Sequence, residues 1–187
     1  LFGWSGSTGS AKFGVSTSES SSDYAGDFVD WGVNQIGEDA PNTWRTLTYD
    51  EWYYLTNSRP NASTLMGVAQ VDGVNGLFLL PDNWECPSGI TFKIGFHSDY
   101  SEEAYGLHQT FTADEWMLME TAGAIFLPAA GYRSGTSVNR VQYYSCYWSA
   151  TEEGSNNAYY LYFYSDEANI SYDYRYYGCP VRLVKDL

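Results

Sequence analysis

Few side chains in this sequence stand at spacings that could carry out catalysis. Two carboxylate pairs, Asp50/Glu51 and Asp114/Glu115, lie in matching T-x-D-E-W pentads at residues 48–52 and 112–116. Neighbouring carboxylates can act as general acid and base when their environments push their pKa values apart. A Thr three residues before each Glu gives them another role, however, because T-x-x-E is a capping box that satisfies two orphan amides at a helix start. His97 and His108 are the only histidines, with Asp99, Glu102 and Glu103 between them. These are metal-ligating residue types, but the ten residues of polar loop between the histidines fix no coordination geometry, so both read as solvated. Cys86, Cys146 and Cys179 show no C-x-x-C spacing, and an odd number leaves one unpaired. A single bridge from Cys146 to Cys179 stays open as an option. No G-x-S-x-G elbow, P-loop or H-E-x-x-H run is present. The residues nominate no catalytic group, no metal site and no cofactor.

A different chemistry gathers near the C-terminus. Of the eighteen tyrosines, twelve lie between Tyr132 and Tyr177. In residues 159–164 the pattern alternates, with Leu161 and Phe163 on one face of an expected strand and Tyr160, Tyr162 and Tyr164 on the other. The first set suits a core. The second suits an outward surface of the kind that recognition loops use, where Tyr supplies contact area at low entropy cost and Asp, Ser and Asn supply hydrogen bonds.

Composition limits what such a surface meets. The chain has 187 residues, 44% hydrophobic and 18% aromatic, enough for a single sizeable core. Its formal net charge of −14 disfavours nucleic acid and anionic lipid as partners. No apolar run approaches the roughly 20 residues of a membrane span. The chain begins at Leu1 without Met, so it reads as a mature or trimmed fragment whose export signal or lipid anchor would lie upstream.

The elements that must position the tyrosines can be read in order. Residues 1–26 are rich in Gly, Ser and Thr and read as loops, with Phe2, Trp4, Phe13 and Val15 reaching into a core; Phe28, Trp31 and Ile36 continue them. A capped helix starts after Thr48, turns Trp52 and Leu55 inward and stops at Pro60. Residues 66–70 and 76–80 form an expected hairpin with Asp-Gly at its turn. Residues 81–101 read as a long polar excursion. A second capped helix starts after Thr112 and ends at Gly123. Residues 124–135 then read as a buried strand and a turn, Tyr147-Trp148 begins another strand, and residues 158–165 and 169–175 pair as a hairpin before the closing PVRLVKDL.

Several of these motifs coincide in one order: AIFLPAAGYRSG at 124–135, YWSAT at 147–151, AYxLxFxS at 158–165, VRLVKD at 181–186, the paired T-x-D-E-W helices and LPDNW at 80–84. Together they resemble the C-type lectin-like domains of the Fibrobacter succinogenes major paralogous family over nearly the whole chain. The C-terminal third looks like the variable proteins of diversity-generating retroelements, whose C-terminal segment is rewritten by adenine-directed mutagenesis. The resemblance implies an α+β, loop-rich C-type lectin-like fold with two capped helices flanking short antiparallel sheets and with the termini close together. It implies one domain over 1–187, with 1–131 as scaffold and 132–187 as the variable segment.

In that family the rewritten positions derive from AAC codons, which reach Tyr, Asp, Ser, Asn and Cys but never Glu, Lys, Gln, Met or Trp. The implied ligand-binding positions here are Tyr132, Ser134, Tyr143, Tyr144, Cys146, Tyr160, Tyr162, Tyr164, Asp166, Asn169, Ser171, Tyr172, Asp173, Tyr174, Tyr176 and Tyr177, all residues that AAC can reach. Trp148, Leu161, Phe163, Ile170, Val181 and Leu183 stand between them as scaffold; Glu167 does not fit the pattern. The resemblance implies an exported surface protein, not an enzyme, displaying this patch to a macromolecule, either a protein or a surface glycan. The calcium-binding E-P-N, Q-P-D and W-N-D motifs of sugar-binding lectins are missing. Two alternatives stand beside it. One is an adhesin or fimbrial tip domain with a fixed partner. The other is an enzyme of the formylglycine-generating type, which shares the general fold and would cast Cys146 and Cys179 as a redox pair, although no activating base for a thiolate is evident.

Overall fold

The computed structural model of the protein describes residues 1–4 and 17–186. The expectation that Phe13 and Val15 reach into the core concerns positions outside the described residues.

Trp44–Thr46 forms strand β1, and Thr48 then caps helix α1 (Tyr49–Tyr53). The Thr48 hydroxyl accepts the Glu51 amide, and the Glu51 carboxylate accepts the Thr48 amide, so the capping box is complete. The helix widens over Tyr54–Ser58 and stops at Arg59, whose extended ψ is what a following Pro60 demands. Strands β2 (Met66–Val71) and β3 (Val74–Leu79) pair as the expected hairpin. Asp72 and Gly73 both take positive φ at its turn, as a two-residue type I′ connection requires.

Residues 81–101 carry no helix or strand, in line with the sequence. Directly after them lies α2 (Glu103–His108), which the sequence reading missed. It has no side-chain cap and buries only the adjacent Ala104 and Tyr105, so no helical period could show. Strand β4 (Thr110–Phe111) leads to α3 (Ala113–Thr121), which repeats the capping box through Thr112 and Glu115 and ends before Gly123 at φ +98°. Residues 124–135 are more structured than a strand and a turn. After β5 (Ile125–Pro128) comes a separate small hairpin, β6 (Tyr132–Ser134) and β7 (Ser137–Asn139). Strands β8 (Ser145–Glu153), β9 (Asn157–Phe163) and β10 (Ala168–Tyr174) follow, and β11 (Leu183–Lys185) closes the chain.

The architecture is α+β: short helices and several small sheets. One sheet runs β4-β2-β3-β5, antiparallel except for the parallel β2/β4 pair; a second, wholly antiparallel, runs β10-β9-β8. β11 returns to pair with β1, and Phe2 bridges to Cys179, so the two ends of the chain are joined to each other.

Alternation sorts the side chains into three cores. On the hairpin β2/β3, Met66, Val68, Leu77 and Leu79 face inward to meet Trp52, Tyr147, Leu161 and Phe163 between the two larger sheets. Ala69, Val71 and Phe78 face the other way and are covered by Trp116 and Met119 of α3. The two T-x-D-E-W helices therefore share a cap but not an environment, since Trp52 fills the central core and Trp116 the outer one. The third core lies on the far side of β8/β9, where Cys146, Trp148, Ala158 and Tyr160 meet Trp4 and Trp31. Arg175, 1% exposed, fastens the N-terminal segment there. Its guanidinium lies 4.3 Å from the Trp4 ring and donates to the carbonyls of Asn157 and Gly154. Cys146 and Cys179 are joined as a disulfide, a bond compatible with an oxidising compartment, and Cys86 is free and exposed. Among the described residues no helix is long and apolar enough to cross a membrane.

Candidate functional site

The third core is open on one side, and there it forms a cleft of about 240 Å³. Its lining is Tyr132, Tyr144, Cys146, Tyr160, Tyr164, Asp173 and Tyr177, with Arg140 and Cys179. All but the last two are candidate positions from the sequence. Register explains the convergence. Cys146 lies opposite Tyr162, and Trp148 opposite Tyr160, across β8/β9; Ser171 lies opposite Tyr160, Asn169 opposite Tyr162, and Asp173 opposite Ala158 across β9/β10. Directly opposed residues share a face, so the three strands present these side chains to one side while Leu161, Phe163 and Ile170 serve the central core.

The loop carrying Arg140, Tyr143 and Tyr144 forms one wall. Arg140 and Gln142 take positive φ, and the Tyr143 and Tyr144 amides both donate to the Arg140 carbonyl. Buried Asn75, on β3, holds the loop: its amide donates to Gln142 Oε1 at 2.7 Å, and its Nδ2 to the Gln142 carbonyl at 2.8 Å. β6 supplies Tyr132 and is anchored by buried Arg133, whose amide and carbonyl both pair with Gly178.

The tyrosines form a continuous belt. Tyr164 has ring centroids 4.7 Å from both Tyr144 and Tyr100, Tyr132 lies 5.8 Å from Tyr177, and Tyr174 stacks on Tyr176 at 5.2 Å. Sequence reasoning missed Tyr100, which stands in the polar excursion, and Arg140, which carries no pattern of its own. Arg140 Nη1 donates to the Tyr164 hydroxyl at 2.7 Å.

The outward assignment needs correcting at three positions. Tyr160 and Tyr144 are only 9% and 8% exposed, and Cys146 is buried in its disulfide. The face opposite Leu161 and Phe163 is itself covered by Trp4, Trp31 and Trp148, so alternation here separates two cores and not core from solvent. Tyr162, Tyr164, Tyr143, Tyr132, Tyr176 and Tyr177 are half-buried at the cleft and its edge. Tyr172 stands apart. It lies opposite Tyr159, which packs 4.6 Å from Tyr49 of α1, and so belongs to the other side of the sheet. Asp166 and Asn169 are exposed, and Ser134 donates to Glu19 rather than entering the cleft.

Burial sets the electrostatics. It pushes the Tyr144 hydroxyl well above its ordinary value and Tyr177 to about 12, with the Asp173 charge adding to both. Asp173 is raised as well, chiefly by burial and only partly offset by the Tyr174 amide that it accepts at 2.8 Å. Among the described residues no cation forms an ion pair with it.

The groups that first suggested catalysis or metal binding are otherwise employed. Glu51 is held at about pKa 2 by the Arg45 guanidinium, which grips both carboxylate oxygens, and Glu115 is lowered by its hydrogen bonds from Thr112. His97 stands in the loop as expected, half-buried, whereas His108 is not a loop residue. His108 ends α2, is half-buried and lies edge-on to His97 at 6.4 Å, and burial lowers its pKa. Among the described residues no three His, Cys, Asp or Glu side chains are grouped to hold a metal ion.

The family described as Domain of unknown function (DUF8237) matches residues 100–184, a little under half the chain. The matched stretch runs from Tyr100 to Val184 and contains every residue that lines the cleft. No curated protein and no solved structure matches this chain.

Proposed function

We propose that the protein is a ligand-binding module of C-type lectin-like fold, exported and displayed at a cell surface, whose tyrosine cleft and belt engage a macromolecular partner. The observation that carries this reading is the cleft itself. Seven of the sixteen candidate positions, Tyr132, Tyr144, Cys146, Tyr160, Tyr164, Asp173 and Tyr177, line one concave surface. Rigid strands hold it, which lets outer side chains change without loss of the core. Diversification of residues 132–187 by adenine-directed mutagenesis belongs to the same proposal. Its test is the surrounding genome, which should encode a reverse transcriptase and a near-copy of this segment with AAC at the variable positions. Absence of both would remove diversification.

An adhesin with a fixed partner is favoured by one specific observation. Tyr144, Cys146 and Tyr160 are buried among core residues, where free variation would cost stability. The two versions separate on substitution. A diversified surface tolerates exchange of its half-exposed tyrosines, such as Tyr162→Asn and Tyr164→Asn, with folding intact and only specificity altered, whereas a fixed-partner site loses all binding to its one partner.

A further inference from the structure

We infer that the cleft takes an organic cation, an ammonium or guanidinium group of side-chain size, held between the Asp173 carboxylate and the tyrosine rings. This deepens the ligand-binding reading above and rests on it. Three features select the class. Tyr132, Tyr144, Tyr160, Tyr164 and Tyr177 line the walls, and aromatic rings attract cations through their quadrupoles, most strongly where water is excluded. The one carboxylate that lines the cleft is Asp173, partly desolvated and unpaired among the described residues, so a ligand cation would supply the counter-charge the protein does not. The net charge of −14 draws cations toward the surface and repels anions.

Size narrows the class further. About 240 Å³ falls below the roughly 300–1,000 Å³ of pockets that enclose a whole small-molecule ligand, and suits a single side chain or head group. The tyrosine belt from Tyr100 to Tyr176 continues past the cleft and offers flat contact to whatever carries the cation. That favours a lysine or arginine on a protein surface over a free amine. Arg140 is a native instance of the same chemistry, since its guanidinium already lies 5.9 Å from the Tyr164 ring centroid while bonding the Tyr164 hydroxyl. It also places a like charge at the cleft.

The test titrates the folded protein with butylammonium, with an acetylated, amidated Gly-Lys-Gly peptide and with the matching Gly-norleucine-Gly peptide, followed by NMR of the tyrosine ring protons. Butylammonium and the lysine peptide should shift ring signals at the cleft, and the norleucine peptide should not. Asp173→Asn, which keeps the side chain's shape and its bond to the Tyr174 amide, should weaken binding roughly tenfold; Glu120→Gln, an exposed carboxylate on α3 outside the cleft, should leave it unchanged. Equal binding of the norleucine peptide, or retained affinity in Asp173→Asn, would overturn the cation assignment. Lysine peptide no tighter than butylammonium would overturn the protein source. These readouts need no natural partner. A partner later found to depend on Tyr162 and Tyr164 but not on Asp173 would retain the ligand-binding reading and remove this inference alone.

Discussion

Glu51 and Asp173 lie at opposite ends of one design problem, how to place a carboxylate in a folded chain. At the capped helix, Glu51 receives the Thr48 amide and hydroxyl and both arms of Arg45, and its pKa falls to about 2. In the cleft, Asp173 receives one backbone amide, loses water to the surrounding tyrosines, and its pKa rises. The helix region is saturated: charges are paired and caps are closed, and Arg45 also holds Asp186 beside β11. The cleft region is left unsaturated over a covalently and aromatically stiffened floor. On the proposed ligand-binding reading, interactions that a scaffold completes internally are, in the cleft, left for a ligand to complete. This is the physical difference between a group that stabilises the fold and a group available for binding, and it can be tested from both sides.

The floor should be the most sensitive part. Trp148 is fully buried, donates its indole N–H to the Phe2 carbonyl at 2.8 Å and packs against Tyr160. Trp148→Ala should cost about 3–5 kcal/mol in chemical denaturation. A cost under 1 kcal/mol would mean that the third core is loose and the cleft not preformed. Next in size is the disulfide, whose removal by paired Cys146→Ser and Cys179→Ser changes should cost roughly 2–4 kcal/mol by releasing a loop of 33 residues' separation. Reduction of the wild type should reproduce the loss. If neither change lowers stability, the cleft floor is held by packing alone.

The helix side should respond to pH and the cleft in the opposite sense. Glu51 has a depressed pKa, so its contribution is present above the ordinary value of 4.5 and is lost as pH falls toward about 2. Glu51→Gln keeps the acceptor of the capping box but loses the charge paired with Arg45, and should therefore lower stability at neutral pH by up to about 1 kcal/mol and flatten the acid limb below pH 4.5. Asp173 has a raised pKa, so its charge opposes folding as pH rises from the ordinary carboxylate range through its folded value. Asp173→Asn should leave neutral-pH stability equal or slightly higher. Loss of stability in that variant would mean that the carboxylate is a structural member and not an unpaired one.

The same contrast explains what could be read from the chain. Both capping boxes, the Asp72-Gly73 turn and the alternation of Leu161 and Phe163 were legible because each is local, fixed by residues within four positions of one another. Helix α2 was not, since Tyr105 is buried by tertiary contacts with no period to announce it. The candidate set implied by the resemblance includes seven residues that line the cleft, but Tyr144, Tyr160 and Cys146 among them are buried and not outward, because a period of two states that a side chain faces away from Leu161 and cannot state what covers that face. Trp4 and Trp31, distant in sequence, supply the cover. Arg140 was invisible for the converse reason: its place in the cleft depends on the loop that Asn75 holds from another sheet.

The smallest effect is expected at Tyr174 and is the sharpest test of the division. Tyr174 is 46% exposed at the end of β10, stacks on Tyr176 and lies 6.5 Å from Tyr177. Exposed aromatic pairs contribute little to stability, so Tyr174→Asn should stay within about 0.5 kcal/mol of the wild type. Arg175, the next residue, is its control. Arg175→Met keeps the apolar length of the side chain but abandons the carbonyls of Asn157 and Gly154 and the Trp4 face, and should destabilise by several times as much. Adjacent residues at the end of β10 would then differ sharply in cost, with the tyrosine free to change and the arginine not. Comparable costs at the two positions would mean that the belt is part of the scaffold, because a surface that can be rewritten must be one whose side chains the fold does not need.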